Sequence, residues 1–380
     1  MQRFVLAILF LFSPLWAIEW DVRGQVSLWN TSTLDELEKT RIGLRYIPEV
    51  STSHVFANGQ MLDVDISFNT YAQRDFGAGQ NETSLSLYRA WLRYSGAQFE
   101  VRLGLQQIKF GPAIILRPLM WFDQLDPRDP LQFTRGVPAA LFRYYFLNNA
   151  NVWLWGVLGD DETKGLETIP SKKNTGEYGG RLQYPLGPGE LGFTYHHRNA
   201  DLQPFLGKWS HMIPAIYQFN LGPIPENRYA MDGKWDIGIG IWFESVLVHK
   251  EIDYFQLDYQ KYLTIGADYT FSLGSGLYLA GEHLMFDLSG ELTQTGNTTE
   301  LSALMASYNL SLWDMVMGLF TYSWETQELF SFFTWRRTFD NFCFNTSFFW
   351  NPETDLVGVG GSNSAFGSGK GFQIMVIYNH

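Results

Sequence analysis

The sequence has 380 residues, 46% hydrophobic and 17% aromatic but only 17% charged, with 36 glycines, a mean hydropathy of −0.13 and a formal charge of −12. A cytosolic globular chain carries about 25% charged residues, and a helical membrane protein shows runs of about 20 apolar residues, none of which follows the N-terminal segment here. The 30 Phe, 19 Tyr and 14 Trp exclude a disordered chain, and the acidic balance excludes nucleic acid as a partner.

At the N-terminus, one positive charge at Arg3 precedes the apolar run from Phe4 to Phe12. Ser13-Pro14 then breaks that run before Leu15-Trp16-Ala17. Residues 1–17 therefore read as a secretory signal peptide cut after Ala17, leaving 18–380 as the mature domain.

Strict alternation follows. Val22, Gly24, Val26 and Leu28 alternate with Arg23, Gln25 and Ser27; Leu62, Val64, Ile66 and Phe68 alternate with Asp63, Asp65 and Ser67. Phe99, Val101, Leu103 and Leu105 alternate with Glu100, Arg102, Gly104 and Gln106, and Tyr178, Gly180, Leu182 and Tyr184 frame Gly179, Arg181 and Gln183. A period of two with unlike faces is the mark of half-buried strands. The predicted spans, in chain order, are 20–29, 40–47, 61–73, 84–94, 98–107, 139–147, 151–158, 177–185, 189–197, 227–234, 238–249, 258–271, 276–286, 299–311, 314–324, 329–337, 341–350 and 370–379. Trp20, Trp29, Tyr46, Trp153, Trp155, Tyr269, Trp324 and Trp350, near strand ends, suggest two aromatic girdles. The expected fold is all-β: a transmembrane antiparallel up-and-down β-barrel of about 18 strands, with 16 as the alternative. Connections should alternate between short periplasmic turns and long outer loops. The segments around 30–39, 74–83, 108–138, 159–176, 198–226, 287–298 and 351–369 are expected to be long, and 48–60 is the one long segment on the short side.

The third outer loop, 108–138, stands apart. Five of the chain's 15 prolines fall within it, beside Ile115, Leu116, Leu119, Trp121 and Phe122. So rigid and apolar a segment is expected to fold inward and pack against the wall, presenting Arg117, Asp123, Asp126, Arg128, Asp129 and Arg135 to the channel. A lid or a subunit contact is the other reading of the same residues. On the wall, Arg23, Arg41, Arg45, Arg89, Arg93, Arg102, Arg143 and Arg181 recur on the polar phase up to residue 190. Beyond it the polar phase offers mainly acids: Glu244, Asp258, Asp268 and Glu282. A basic arc facing an acidic arc would order solutes at a constriction built from Arg89, Arg93, Arg102, Arg143 and the loop charges.

The run Leu103-Gly104-Leu105-Gln106-Gln107-Ile108-Lys109-Phe110-Gly111, followed by Arg117-Pro118, Asp123 and Asp126-Pro127-Arg128-Asp129-Pro130, is similar to a strand-and-loop signature. It resembles that of the Gram-negative outer-membrane porins, most closely the alginate-export type and related monomeric substrate-specific barrels. The resemblance implies passive diffusion or facilitated export through an arginine-lined lumen. The chain departs from the family's terminal aromatic by ending Tyr378-Asn379-His380.

The sequence thus predicts an outer-membrane porin for small polar or anionic solutes, with a barrel sheath or export component of a larger complex as the alternative. No nucleophile motif accompanies the histidines, so no catalysis is expected. One cysteine, Cys343, supplies no disulfide and no cysteine-rich zinc or haem site, so no cofactor or metal is expected. The expected partners are outer-membrane lipid, lipopolysaccharide and small polar solutes, with the chain a monomer or homotrimer.

Overall fold

A computed structural model describes residues 19–34, 40–203, 222–251, 258–352 and 369–380; the expected signal peptide lies outside the described residues. The strands are β1 (Trp20–Thr33), β2 (Arg41–Val55), β3 (Met61–Asp75), β4 (Gln80–Ser95), β5 (Phe99–Gln106), β6 (Val137–Tyr145), β7 (Asn151–Leu158), β8 (Gly176–Leu186) and β9 (Gly189–Ala200). The second half comprises β10 (Ile224–Asp236), β11 (Gly240–Lys250), β12 (Tyr259–Phe271), β13 (Leu277–Ser289), β14 (Asn297–Asn309), β15 (Asp314–Ser323), β16 (Glu328–Thr338), β17 (Phe342–Asn351) and β18 (Gly369–Asn379). Each strand pairs antiparallel with its chain neighbours. β1 closes on β18 from Gln25 opposite Asn379 to Thr33 opposite Gly371. A closed 18-strand barrel leaves no edge, so ladder donors and acceptors are satisfied within the sheet, as lipid requires.

The period-two pattern sets which side is which. Leu44, Ile66, Leu85, Leu182, Phe320 and Phe348 lie exposed on the outside, while Asp63, Ser67, Glu177, Arg181, Arg228 and Glu244 are buried inside. This is the inverse of a water-soluble barrel and matches an apolar lipid-facing band. At the seam, His380 exchanges backbone hydrogen bonds with Gly24 and stacks between Tyr46 and Tyr378, so the ladder runs to the last residue.

Three expectations change. The segment 48–60 is no long connection: β2 runs to Val55 and β3 starts at Met61. The outer segment around 74–83 is also mostly strand, with only residues 76–79 between β3 and β4. Both errors have one cause, since polar strand ends outside the lipid band lack the alternation that marks a strand. The third correction concerns the girdles. Trp29, Trp153 and Trp155 point inward: Trp29 stacks on Tyr71 at 5.8 Å, Trp155 on Phe110 at 5.6 Å, and Trp153 meets Phe110 edge-on. In Val152-Trp153-Leu154-Trp155 both faces are apolar, so alternation cannot assign direction.

Candidate functional site

Residues 107–136, between β5 and β6, touch the inner face of strands far across the barrel. Pro112 and Pro118 deny the segment regular structure, so its buried amides need other acceptors. Two carboxylates supply them. Glu244 of β11 accepts from the amides of Ala113 (2.9 Å) and Leu119 (3.0 Å). Glu282 of β13 accepts from Ile114 (2.6 Å), Ile115 (3.0 Å), Leu116 (2.5 Å) and the Trp242 indole (3.1 Å). The Thr264 hydroxyl of β12 donates to the Leu116 carbonyl at 2.9 Å. Gly111 has φ +91°, and a Cβ there would run into the Glu244 carboxylate; the approach to β11 requires glycine on both counts.

Apolar contacts complete the anchorage. Ile115 and Leu116 pack with Trp242, Leu284, Phe332 and Phe349. Phe110, Leu119, Trp121 and Phe122 pack with Leu141, Trp155 and Val246, and Phe122 meets the His196 ring edge-on at 5.0 Å. Farther along, Phe133 stacks on Tyr88 at 5.0 Å and lies 4.0 Å from the Arg45 guanidinium, and the Thr134 carbonyl accepts from Arg89 at 2.9 Å. Tyr88 is presented by a bulge: Arg89 pairs with Ser67 and Leu87 with Phe68, leaving Tyr88 extra.

A second connection, 159–175, docks on the first. The Leu166 amide donates to the Met120 carbonyl at 3.1 Å, and Gly165 sits at φ +51° where a Cβ would collide with that carbonyl. Lys164 pairs with Glu177 at 2.8 Å, and Glu167 pairs with Arg198 at 3.1 Å and Arg228 at 2.9 Å; both arginines also hold Glu226 at 2.6 Å.

The ten predicted site residues divide into separate groups. Arg93, Arg102 and Arg143 converge on Glu100 at 3.8, 3.1 and 3.6 Å, and Arg93 also meets Asp63 at 2.9 Å. Arg102 lies over Trp91 and Arg143 over Trp153. Beside this group is a cavity of about 630 Å³ lined by Asp63, Asp65, Trp91 and Arg93. Arg89 is spent on the carbonyls of Tyr88 and Thr134. Arg117 and Asp123 form a bidentate pair at 2.7 and 3.1 Å, both buried, so they face each other within the packed loop. Asp126 binds Arg128, Asp129 accepts the amides of Leu131 and Phe133, and Arg135 pairs with Glu162 near the surface.

The expected division into a basic and an acidic arc is not what the inner wall carries. Glu244 and Glu282 are loop anchors, Asp232 is neutralised by Arg181 at 2.5 Å, and Arg198 and Arg228, absent from the expected set, lie beyond residue 190. Charge runs in paired clusters from β2 to β11. Across the barrel, the inner face from β14 to β18 carries little charge among the described residues, with Leu301, Met305, Leu319, Phe332, Ser347 and Gln373 buried there and Glu328 and Arg336 towards the two ends of β16. No group of three or more His, Cys, Asp or Glu among the described residues has the arrangement of a metal site.

No family model matches the sequence, and no curated protein matches it. Among solved structures the chain is similar to OccAB1 of Acinetobacter baumannii (TM-score 0.59, 8% identity, 96% of each chain covered). It is similar as well to OccK5 (OpdH) of Pseudomonas aeruginosa (0.55, 11%, 95% of this chain and 97% of the other). A third likeness is to the anion-selective porin of Comamonas acidovorans (0.50, 11%, 96% and 100%). The chain has the fold of the Gram-negative outer-membrane porins. At these identities the likeness concerns the fold and does not single out the alginate-export type.

Proposed function

We propose that the chain is an outer-membrane diffusion pore for small polar or anionic solutes, and that the loop at 108–138 narrows its lumen. The observation that carries this reading is the asymmetry of the loop's contacts. It is tied to Glu244 and Glu282 on one side of the barrel, while Arg93, Arg102 and Arg143 stay grouped beside a cavity on the other. In this reading Arg89, Arg93, Arg102 and Arg143 line the path with Asp126, Arg128, Asp129 and Arg135, and Arg117 and Asp123 brace the loop. Arg93, Arg102 and Arg143 against Glu100 and Asp63 leave one positive charge over, which favours anions in a water-filled constriction. The outer face would sit in outer-membrane lipid with lipopolysaccharide, as monomer or homotrimer, after removal of residues 1–17.

Planar-bilayer recording tests the proposal. Arg89→Gln, Arg93→Gln and Arg102→Gln together should move the reversal potential toward cation preference. An unchanged potential would remove these residues from the path. A folded barrel giving no conductance steps would favour a sheath or export component instead.

A further inference from the structure

We propose that the outer face of β8–β12 holds one phosphorylated, multi-acyl lipid of the lipopolysaccharide type. Its chains lie in an apolar trough, and its phosphate sits on unspent donors at the trough's outer end. The proposal rests on the outer-membrane placement above and adds a defined site to it.

Alternation fixes the direction of the side chains. His196, Arg198, Glu226, Arg228, Val248 and Lys250 are buried inside, so His197, Asn199, Asn227, Tyr229, Leu247 and His249 face outward. The trough, about 870 Å³, is lined by Leu154, Leu182, Phe193, Tyr229, Met231 and Leu247, among others. Gly180 and Ser245 line it too, and their lack of bulk leaves it open.

Toward the outer loops, one cross-strand row reads Tyr178, His197, Asn227, His249 and Tyr259, each directly opposite the next. Asn227 Oδ1 accepts from the Tyr195 hydroxyl and from His197 Nδ1, both at 2.9 Å. That fixes the amide and leaves Asn227 Nδ2 without an acceptor among the described residues. His249 stacks on Tyr259 at 4.6 Å, and its ring nitrogens have no hydrogen-bond partner there either. Beside the row, Ser171 pairs with Ala200 and points inward to Lys164 and Arg198, so the next residue, Lys172, points outward alongside Asn199. Lys172 is exposed and has no acid partner among the described residues, unlike Lys173, which pairs with Asp161.

A free ammonium with unspent amide and imidazole donors, set above an apolar trough, complements a phosphate carried on acyl chains. A phosphomonoester brings more charge and more acceptor oxygens than the phosphodiester of a glycerophospholipid, so the donors favour the former.

Native mass spectrometry of the full barrel in detergent, titrated with lipid A, dephosphorylated lipid A and phosphatidylglycerol, tests the site. The expected result is one lipid A retained, with the other two lipids bound about tenfold more weakly. Lys172→Ala with Asn227→Leu and His249→Phe should weaken lipid A binding about tenfold while planar-bilayer conductance stays at the parent's value. Should the triple variant fail to fold, Asn227→Asp serves in its place, since it sets a like charge against the phosphate. Equal retention of all three lipids overturns the proposal. So does undiminished lipid A binding by the variants, or an oligomer that buries this face and takes up no lipid. A parent barrel that retains lipid A but gives no conductance steps counts against the pore alone and leaves the lipid site standing.

Discussion

The two sides of the inner wall solve the same problem in different ways. From β2 to β11 the wall buries charge and neutralises it in compact clusters: Arg93, Arg102 and Arg143 on Glu100, Arg181 on Asp232, and Arg198 and Arg228 on Glu226. From β14 to β18 the middle of the wall buries Leu301, Met305, Phe332 and Phe349 with hydroxyl and amide side chains, and Ser347 is satisfied by Thr334 and Asn345. The loop between β5 and β6 joins the two regimes. Its apolar side chains need the greasy wall, and its proline-broken backbone needs the carboxylates of β11 and β13 at that wall's border. A charged wall therefore tolerates water beside it, whereas the sparsely charged wall is legible only together with the loop that covers it.

Substitutions of graded size separate these roles. Glu282→Ala should have the largest effect, because it strands the amides of Ile114, Ile115 and Leu116 at about 1–3 kcal/mol each. Thermal unfolding in detergent should drop steeply, and bilayer recordings should become noisier as the loop loosens. Arg117→Leu comes next, at about 3–5 kcal/mol, since it leaves Asp123 buried without its partner. The double change Arg117→Leu with Asp123→Leu should recover much of that loss, and an additive result would deny the coupling.

Arg143→Gln should cost about 1 kcal/mol, because two other arginines still serve Glu100, while shifting ion selectivity more than stability. Lys173→Ala should leave unfolding unchanged. Its hydrogen bond with Asp161 holds that carboxyl below its usual range and raises the Lys173 ammonium, but both groups lie in solvent, where such pairs contribute little.

Much of the fold was legible because lipid outside and charge inside give unlike faces. Leu62-Asp63-Val64-Asp65-Ile66 can be read in one direction only, and tight turns such as Gly96 and Gly187 punctuate the strands. Where both faces are apolar the reading fails. Leu319-Phe320, Phe332-Phe333 and Phe348-Phe349 each divide between inside and outside, and nothing local says which residue goes where. The loop's bulk and its prolines were visible, but its acceptors were not, since 131 residues separate Ala113 from Glu244. A signal did exist: Glu244 and Glu282 each stand as the lone acid of a mainly apolar stretch of strand, Trp242–Val248 and Leu279–Leu284, in which Ser245 and His283 are the other polar residues. Buried acids of that kind need donors, and a proline-rich loop is rich in unpaired amides. Arg198 and Arg228 were overlooked because the acids of the second half outnumber them.

The most direct test of a loop that narrows the lumen is the single-channel conductance of a variant lacking residues 112–135, compared with the parent in planar bilayers. A larger conductance with a folded, heat-modifiable barrel is the predicted result. A folded variant with the parent's conductance would contradict it.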